Sequence, residues 1–418
     1  MHIKIPKNVK VILDTLNKYG FEAYIVGGCV RDSILGLKPH DWDIFTSALP
    51  EQVMSVFTNR PIIETGIKHG TVTVVFEKES YEITTYRIDG AYDDNRHPNN
   101  VQFTTDLGLD LSRRDFTINA MAYNPNKGLI DIFGGKKDLD NYVLKCVGNA
   151  SERFNEDALR IMRAMRFAST YDLKIHADTL NAMMEHKELL KDISYERISS
   201  EIKKMCSASS TNSLVHILDQ TWECLEIVCN ELSDTDKCMT LKRMSCIYDR
   251  LFARLAVLFD FDKDKQIQIM RRMKFSNEEI KNVSEIREYG RYIIDELNNI
   301  DSCNISYFCK KMLNRISWIN CSQAAEYAIS CLYCIGDERY HLVQIIDKAL
   351  YDIYNSNECY QLSTLSITGN DVASYGFKGK EIGVVLNYLL DMVMKGTLEN
   401  DRDVLLNRIS ELKGDNNV

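Results

Sequence analysis

The sequence predicts an α+β protein in which a small mixed sheet comes first and helices follow. Segments rich in β-forming residues, at positions 23–26, 72–76 and 81–87, alternate with short helical stretches in the first third of the chain. From about position 149 onward, apolar residues recur with helical spacing. Because 418 residues are too many for one core, we expect several domains.

The first predicted element is an amphipathic helix at positions 7–19. Its apolar stripe is formed by Val9, Ile12, Leu13 and Leu16, which recur with the period of a helix. The pattern therefore predicts that this helix packs one face against the sheet.

A glycine turn, formed by Gly27 and Gly28, follows the predicted strand at 23–26. Glycines adopt backbone angles closed to other residues, and their N–H groups can approach a phosphate closely. The helix expected next offers its positive end, and Arg31 would lie one turn beyond Gly28 with its fork of donors. An ordinary turn before a helix is the alternative interpretation.

Two aspartates, Asp41 and Asp43, follow within a short helix's length. On a strand they would point the same way, while Trp42 and Ile44 would point into the core. Two carboxylates on one face can hold Mg²⁺, and a two-metal site would serve both the attacking hydroxyl and the leaving pyrophosphate. A surface or capping role is the alternative.

The composition is that of a globular, intracellular protein. Residues are 45% hydrophobic and 27% charged, and no stretch is long and apolar enough to cross a bilayer. Thirteen scattered cysteines fit reduced thiols, so we expect a cytoplasmic protein without a membrane partner. Cys331 and Cys334 have metal-ligand spacing but no second ligand pair, and we interpret them as part of a core helix.

Three later motifs are more specific. They read DLSRRDFTINAMA at 110–122, DIFGG at 131–135 and EDALRIMRAMRF at 156–167. Together with the glycine turn and the aspartates, they resemble the motifs of the class II tRNA nucleotidyltransferases, which are the bacterial CCA-adding enzymes and their poly(A) polymerase relatives. The resemblance is dense from about Gly20 to Arg166.

The resemblance implies a fold, an activity and partners. It implies a polymerase-β-like head at 1–145, a helical neck that recognises the base at 146–206, a helical body at 207–300 and a tRNA-binding tail at 301–418. The implied reaction adds C, C and A to the 3′ end of tRNA from CTP and ATP, with Mg²⁺ as cofactor and without a nucleic-acid template. The protein would act as a monomer or homodimer.

The resemblance also implies the roles of nine residues by matching position. They are Asp41 and Asp43 as catalytic, metal-binding carboxylates, Gly28 and Arg31 at the triphosphate, Arg114 at the sugar or phosphate, and Asp157, Arg160, Arg163 and Arg166 along the nucleotide pocket, where Asp157 and Arg160 read the base.

Hydrogen-bond chemistry agrees with that base-reading pair. Cytosine and adenine present an amino donor beside a ring-nitrogen acceptor, whereas uracil and guanine present a carbonyl beside an N–H. A carboxylate only accepts and a guanidinium only donates, so Asp157 and Arg160 match C and A. Residues three apart on a helix are neighbours. The alternative is a plain helix whose charges form surface ion pairs.

Two features of the head bear on details of the reaction. Glu82 lies on a predicted strand that could pair beside the aspartates, and we favour a supporting role for it over that of a third catalytic acid. Positions 88–98 are rich in turn-forming residues and resemble the flexible loop that CCA-adding enzymes use when the pocket switches from C to A. The presence of this loop favours addition of the full CCA. The alternative is that these positions form an ordinary surface loop.

Resemblance in the helical part is weaker. Positions 194–202 resemble the neck, although their charges could form only salt links along one helix. Positions 254–260 resemble a segment that reads His-Asp in some relatives and belongs to a metal-dependent phosphohydrolase site. Phe259 stands where that His would be and cannot bind metal, so we expect a core helix without hydrolase activity. Positions 365–372 and 379–387 resemble the tRNA-holding tail, with Lys380 where many relatives have Pro.

The sequence is compatible with two rival functions. One is a poly(A) polymerase or an enzyme that adds only CC or only A. Poly(A) polymerases of the family commonly carry a basic C-terminal extension, whereas this chain has a net charge of −9 and ends ELKGDNNV. The other is a catalytically silent RNA-binding protein, against which the intact Asp41 and Asp43 argue.

Overall fold

The N-terminal part of the chain is built on a seven-stranded mixed sheet. A computed structural model describes residues 2–64, 66–89, 101–301, 303–356 and 358–415. They form two compact units, Met1–Asp234 and Thr235–Val418. The predicted α+β class, with the sheet first and helices after it, is confirmed. The finer division into four domains stays a prediction.

The strands all lie in the first unit. In chain order they are β1 Ala23–Val26, β2 Ile44–Thr46, β3 Ile62–Ile63, β4 Thr71–Phe76, β5 Glu79–Thr85, β6 Arg87–Asp89, β7 Val101–Phe103, β8 Ala122–Asn124, β9 Gly128–Ile130, β10 Val143–Leu144 and β11 Lys174–Ile175. The main sheet has the order β3-β4-β5-β2-β1-β8-β9, while β6 with β7 and β10 with β11 form separate pairs.

Helices follow the sheet in the first unit and make up the second. The first unit contains α1 Lys7–Lys18, α2 Gly28–Ile34, α3 Pro50–Val56, α4 Leu107–Ser112, α5 Gly135–Asp140, α6 Ala150–Glu156, α7 Leu159–Tyr171, α8 Ala177–His186, α9 Tyr195–Cys206 and α10 Thr211–Val228. The second contains α11 Lys237–Ser245, α12 Leu251–Leu258, α13 Lys263–Arg272, α14 Asn277–Glu296, α15 Ile305–Arg315, α16 Trp318–Cys334, α17 Tyr340–Asn355, α18 Gly369–Ser374, α19 Lys380–Met394 and α20 Arg402–Asp415.

The register of the sheet determines what stands beside the aspartate pair. Strand β1 pairs antiparallel with β2, with Ile25 opposite Ile44. Strand β2 pairs parallel with β5, with Ile44 opposite Ile83. One residue earlier on each strand, this register continues to Asp43 and Glu82, whose side chains therefore point to the same face.

The predicted N-terminal elements are confirmed. Helix α1 buries the four residues of the predicted stripe, and β4 and β5 form the predicted hairpin. The turn between those strands uses Glu77 and Lys78, both with positive φ. The motif at 131–135 supports a helix start, because the Asp131 carboxylate accepts the N–H groups of Gly135 and Lys136 at 2.7 and 2.9 Å.

In the second unit, the described residues include one hydrophobic core around α14 to α17 and another around α18 to α20. Helices α14 and α16 cross closely, because a Cβ on Gly290 would lie 2.4 Å from the Tyr327 ring. No helix among those described combines the length and the apolarity that a membrane span requires.

The segment around Phe259 is core, as predicted. The Phe259 ring is fully buried at the end of α12 and packs edge to face on Phe275. The next residue, Asp260, accepts hydrogen bonds from Arg243, Arg287 and Arg291 at 2.6 to 3.0 Å. This carboxylate thus serves as the centre of an ion-pair cluster. The absence of hydrolase activity stays a prediction.

Candidate active site

The glycine turn connects β1 to α2, and its first residue has little room for a side chain. Gly27 has φ +81°, a conformation that other residues rarely adopt. A Cβ at this position would lie 3.0 Å from Nη1 of Arg114. The Gly27 N–H donates to the Met121 carbonyl at 3.0 Å, which ties the turn to the chain just before β8. The turn thus brings its backbone against an arginine of the site.

The aspartate pair lies at the start of β2. The prediction that both residues lie on a strand is wrong, because β2 begins at Ile44 and Asp41 to Asp43 form the extended segment before it. The hydrogen bonding between β1 and β2 nevertheless extends to this segment, since the Val26 N–H donates to the Asp43 carbonyl at 3.1 Å. Asp41 and Asp43 are exposed as whole residues and Ile44 is buried as predicted, whereas Trp42 is half-buried and lines the surface beside them.

Negative charge accumulates around Asp43. Desolvation raises the pKa of its carboxyl, Glu82 and Asp41 raise it further, and Arg114 opposes them. Closely spaced oxygen donors with uncompensated charge suit a hard divalent cation such as Mg²⁺. Among the described residues, no group of three or more His, Cys, Asp and Glu side chains is arranged to hold a metal. The aspartate pair, with Glu82 as its neighbour, could offer oxygen donors to such a cation.

A cavity of about 770 Å³ opens beside the pair and the glycine turn. Gly27, Gly28, Asp41 and Asp43 line it, together with Asp115 and Asp157. Its other charged residues are eight arginines: Arg31, Arg87, Arg113, Arg114, Arg160, Arg163, Arg166 and Arg197. All nine residues assigned from the sequence line this one cavity, which we call the arginine cavity.

Arg31 is buried and held from three directions. Its guanidinium donates to Asp32 at 2.9 Å, to the side-chain carbonyl of Asn119 at 2.5 Å and to the Tyr171 hydroxyl at 2.5 Å. It also lies over the Tyr171 ring, 4.2 Å from the centroid. A guanidinium has five N–H donors, so some donors of Arg31 remain available to a ligand.

Arg114 is oriented by Asp110, a carboxylate that sequence reasoning did not assign. Asp110 is fully buried, and its two oxygens accept from Arg113 at 2.7 Å and from Arg114 at 3.1 Å. Burial raises the pKa of Asp110, but Arg114 and Arg113 outweigh it and hold the pKa below its usual range. The Arg114 guanidinium also stacks 4.4 Å from the centre of the Phe45 ring.

Asp115 and Asn119 link Arg163 to Arg31. Asp115 accepts from Arg163 at 2.6 Å and from the Asn119 amide at 3.0 Å, while the other end of that amide accepts from Arg31. Burial opposes ionisation of Asp115, yet Arg163 and Asn119 outweigh it and lower its pKa to about 2. The motif at 110–122 thus supplies the partners of arginines from distant parts of the chain.

Asp157 and Arg160 line the same cavity but do not lie on one helix. The prediction that they do is wrong, because Asp157 ends α6 in an extended conformation and α7 begins at Leu159. Asp157 accepts the Leu159 N–H at 3.0 Å and a bond from Arg197 at 2.8 Å. Arg160 donates to Glu156 at 2.6 Å through Nη1. Arg160 also donates to the carbonyls of Arg153 and Arg113.

Helix α9 supplies two further partners. Arg197 bonds Asp157, and Glu201 accepts from Arg166 at 2.5 Å. The alternative that the charges at 194–202 form only salt links along their own helix is wrong, because these bonds cross to another part of the chain. Arg166 also stacks on Phe167, 3.8 Å from the ring centroid.

Sequence reasoning missed these supporting residues. Asp110, Asp115, Asn119, Tyr171, Arg197 and Glu201 hold the assigned arginines and aspartates in place. Five of them lie inside motifs already singled out, at 110–122 and 194–202, and this position within a motif is the signal that could have identified them. Tyr171 lies outside every motif. The predicted flexible loop spans positions 88–98. Its positions 90–98 lie outside the described residues.

Comparisons with known proteins extend over the whole chain. Family models match in three places: the head domain of poly A polymerase at residues 23–145, the RNA- and SrmB-binding site of polymerase A at 172–221, and tRNA nucleotidyltransferase domain 2 at 248–409. The CCA-adding enzyme of Lactococcus lactis subsp. cremoris is 36% identical over 419 residues, covering 96% of this chain and 95% of its own. That of Pediococcus pentosaceus is 33% identical over 416 residues and 98% of both chains.

A solved structure matches the fold as well. The crystal structure of the Bacillus stearothermophilus CCA-adding enzyme in complex with CTP covers 98% of both chains, with 28% identity and a TM-score of 0.71. The mixed sheet, the glycine turn and the aspartate pair define a nucleotidyltransferase. Within that class, the chain belongs to the CCA-adding enzyme family.

Proposed function

We propose that this protein adds C, C and A stepwise to the 3′ end of tRNA, using CTP and ATP and releasing pyrophosphate. The observation that carries the proposal is the arginine cavity, where a cluster of cations meets a pair of aspartates at a glycine turn. That combination suits a triphosphate whose α-phosphorus lies at the carboxylates. The name and the CTP complex of its relatives support the same reaction.

Each transfer forms one bond and breaks one. The 3′ oxygen of the RNA bonds to the α-phosphorus, the bond from that phosphorus to the bridging oxygen breaks, and the electron pair leaves with pyrophosphate. The hydroxyl proton passes to water. Asp41 and Asp43 would hold Mg²⁺, which when bound sharpens the attacking hydroxyl and neutralises the leaving group.

The chain's own residues position the nucleotide. Arg31 and Arg114 are held rigidly by buried partners, so they meet phosphate oxygens without having to be ordered first. Arg160 donates from Nη1 to Glu156 and to the Arg153 carbonyl and from Nη2 to the Arg113 carbonyl, which leaves one Nη2 proton and Nε–H for a base. Each oxygen of Asp157 has accepted one bond and can accept another. This pair can therefore offer one donor and one acceptor to C or A.

A length assay tests the function directly. The purified protein is incubated with Mg²⁺, CTP and ATP and with tRNA ending before C74, tRNA ending after C75, or an unrelated RNA. We expect three added nucleotides on the first, one on the second and none on the third. A long tail on the third would indicate a poly(A) polymerase, addition on only one tRNA would indicate a partial enzyme, and no addition would indicate a silent RNA-binding protein.

A substitution tests the base-reading pair. Asp157→Ala removes the acceptor, so misincorporation of U or G should rise roughly tenfold or more, as expected when a bond worth about 1–3 kcal/mol is lost. The incorporation of each of the four nucleotides by the variant and the wild type measures this. Strict preference for C and A in the variant would show that the assignment is wrong.

A further inference from the structure

Three cysteines come together in the second unit, near the ends of two helices. Cys331 and Cys334, the two cysteines with metal-ligand spacing, both lie on α16, and Cys334 is its last residue. Cys246 directly follows α11. All three are half-buried free thiols, and none of them lines the arginine cavity. The described part of the chain contains no group of His, Cys, Asp and Glu side chains arranged to hold a metal, so the cysteines need another interpretation.

Packing of the two helices brings two of these thiols together. Helix α11 packs against α16, and the Arg243 guanidinium lies over the Tyr327 ring, 4.8 Å from its centroid. Cys246 follows Arg243 by about one helical turn, and Cys334 follows Tyr327 by about two. The side chains of Cys246 and Cys334 meet there and share a hydrogen bond. Two segments that are far apart in the chain thus present their thiols to each other.

A disulfide holds its two sulfurs about 2 Å apart on side chains that face each other, and two hydrogen-bonded thiols are close to that arrangement. We propose that Cys246 and Cys334 form a modification site, at which a low-molecular-weight disulfide converts the two thiols into an intramolecular disulfide. The bond would tie the end of α11 to the end of α16. This inference goes beyond the proposed function and does not depend on it, because none of the residues assigned to nucleotide transfer takes part.

The surroundings of the two thiols suggest the order in which they react. Burial raises the pKa of Cys334 to about 11, and the charge of Cys246 and its hydrogen bond act in the same direction, while Arg243 opposes them. Cys334 therefore keeps its proton at neutral pH. The thiolate is the nucleophile in thiol exchange, so Cys334 is poorly suited to attack first. Cys246, whose S–H donates to the Lys242 carbonyl at 3.4 Å, is the thiol left to begin the reaction.

The exchange takes two steps and conserves electrons. The Cys246 thiol gives its proton to water, and its sulfur attacks one sulfur of the small disulfide, whose S–S bond breaks as the new one forms. The first small thiol leaves with the electron pair and takes up a proton. The Cys334 thiol then loses its proton to water, and its sulfur attacks the Cys246 sulfur and expels the second small thiol, which is protonated in turn. Two protein thiols are oxidised and one small disulfide is reduced.

Peptide mapping by mass spectrometry tests the pairing. The reduced, full-length protein is incubated under native conditions with oxidised glutathione, the remaining thiols are alkylated, and the peptides are mapped without reduction. We expect one pair of peptides joined through Cys246 and Cys334. Cys334→Ser should instead retain glutathione on Cys246, because no second thiol can expel it, and Cys246→Ser should leave Cys334 unmodified. Cys238→Ser, at an exposed cysteine on α11, is the matched control and should behave like the wild type.

Thermal unfolding provides a second test. A disulfide between residues so far apart restricts the unfolded chain, so the unfolding midpoint of the oxidised protein should lie roughly 5 °C or more above that of the reduced protein. Cys246→Ser and Cys334→Ser should show no such shift. Glutathione that stays on Cys246 of the wild-type protein, or a disulfide that joins Cys246 only to Cys331, would overturn the proposal. Equal midpoints of the oxidised and reduced wild-type protein would overturn it as well.

Discussion

Arg31, the proposed phosphate ligand, shows how its neighbours fix a side chain in place. Its guanidinium is bonded by Asp32, Asn119 and Tyr171 and lies over an aromatic ring, so its rotamer is set before any ligand arrives. Ordering a free arginine on binding costs up to about 2 kcal/mol of side-chain entropy. The neighbours have met that cost in the folded protein, which leaves more of the binding energy for the nucleotide.

Tyr171 can be tested as a positioning residue for Arg31. Tyr171→Phe keeps the ring and removes the hydroxyl that bonds Arg31 and Asp32. Hydrogen bonds to charged groups are worth about 1.5–3 kcal/mol, so we expect the KM for CTP and ATP to rise roughly tenfold with the KM for tRNA unchanged. Steady-state kinetics measure both constants. Tyr19→Phe, at an exposed tyrosine, is the control, and equal changes in both KM values would contradict the role.

Asp41 is the most direct test of the aspartate pair. Asp41→Ala removes a carboxylate of the proposed metal site, and we expect the transfer rate to fall at least about a thousandfold, since a bound metal would supply several kcal/mol of transition-state stabilisation. Binding of tRNA should stay largely intact, because no RNA contact is assigned to this carboxylate. Single-turnover extension and filter binding measure the two effects, with the exposed Asp14→Ala as control. Extension at the wild-type rate would exclude Asp41 from catalysis.

At the scale of elements, the site depends on how a turn and a strand end are arranged. The β1–α2 turn contacts the chain before β8, and the extended segment before β2 stands between β1 and β5. This arrangement brings Gly27, Asp43 and Glu82 to one edge of the sheet, although they come from three separate segments. The arginine cavity opens at that edge.

Glycine substitutions separate backbone strain from crowding in the site. Gly27→Ala puts a Cβ at φ +81° and 3.0 Å from Arg114, whereas Gly20→Ala has φ +88° with open space around it. Both variants should lose about 1–2 kcal/mol of unfolding free energy through the left-handed backbone. Only Gly27→Ala should also lower kcat/KM for CTP, because Arg114 has to move. Equal activity of the two variants in the extension assay would argue against a site role for the turn.

At the scale of the whole molecule, the net charge conceals strong local differences. The chain carries a net charge of −9, yet eight arginines line a single cavity, and three more surround Asp260 in the second unit. Buried or half-buried carboxylates compensate part of each cluster. Because protonation of these carboxylates would break their ion pairs with arginine, the stability of the protein depends on pH.

Asp115 shows in which direction the stability of the protein changes with pH. Its pKa is about 2 in the folded protein and 3.8 ordinarily, so its contribution is complete above about pH 4 and is lost as the pH falls through 2. Asp115→Asn should lower the unfolding free energy by roughly 2 kcal/mol at pH 7, and about half of that difference should remain at pH 3. Urea unfolding at both pH values measures it, with Asp14→Asn as control. A difference that grows toward low pH would contradict the assignment.

Sequence by itself determined the features that are local or periodic. The stripe of α1, the β4–β5 hairpin, the glycine turn, the aspartate pair and the family all follow from short patterns, because neighbouring residues alone decide them. The hairpin turn at Glu77 and Lys78 shows a limit, since neither residue type favours the positive φ that both adopt there.

Only the tertiary structure decided which charges meet. Arg31 and Tyr171 are 140 residues apart, and Arg163 lies 48 residues from Asp115. Asp157 and Arg160 come together in one cavity although a helix end separates them. Spacing along the chain cannot predict such pairs, because the packing of the sheet against the helices brings them into contact. The same packing places Glu82 beside Asp43.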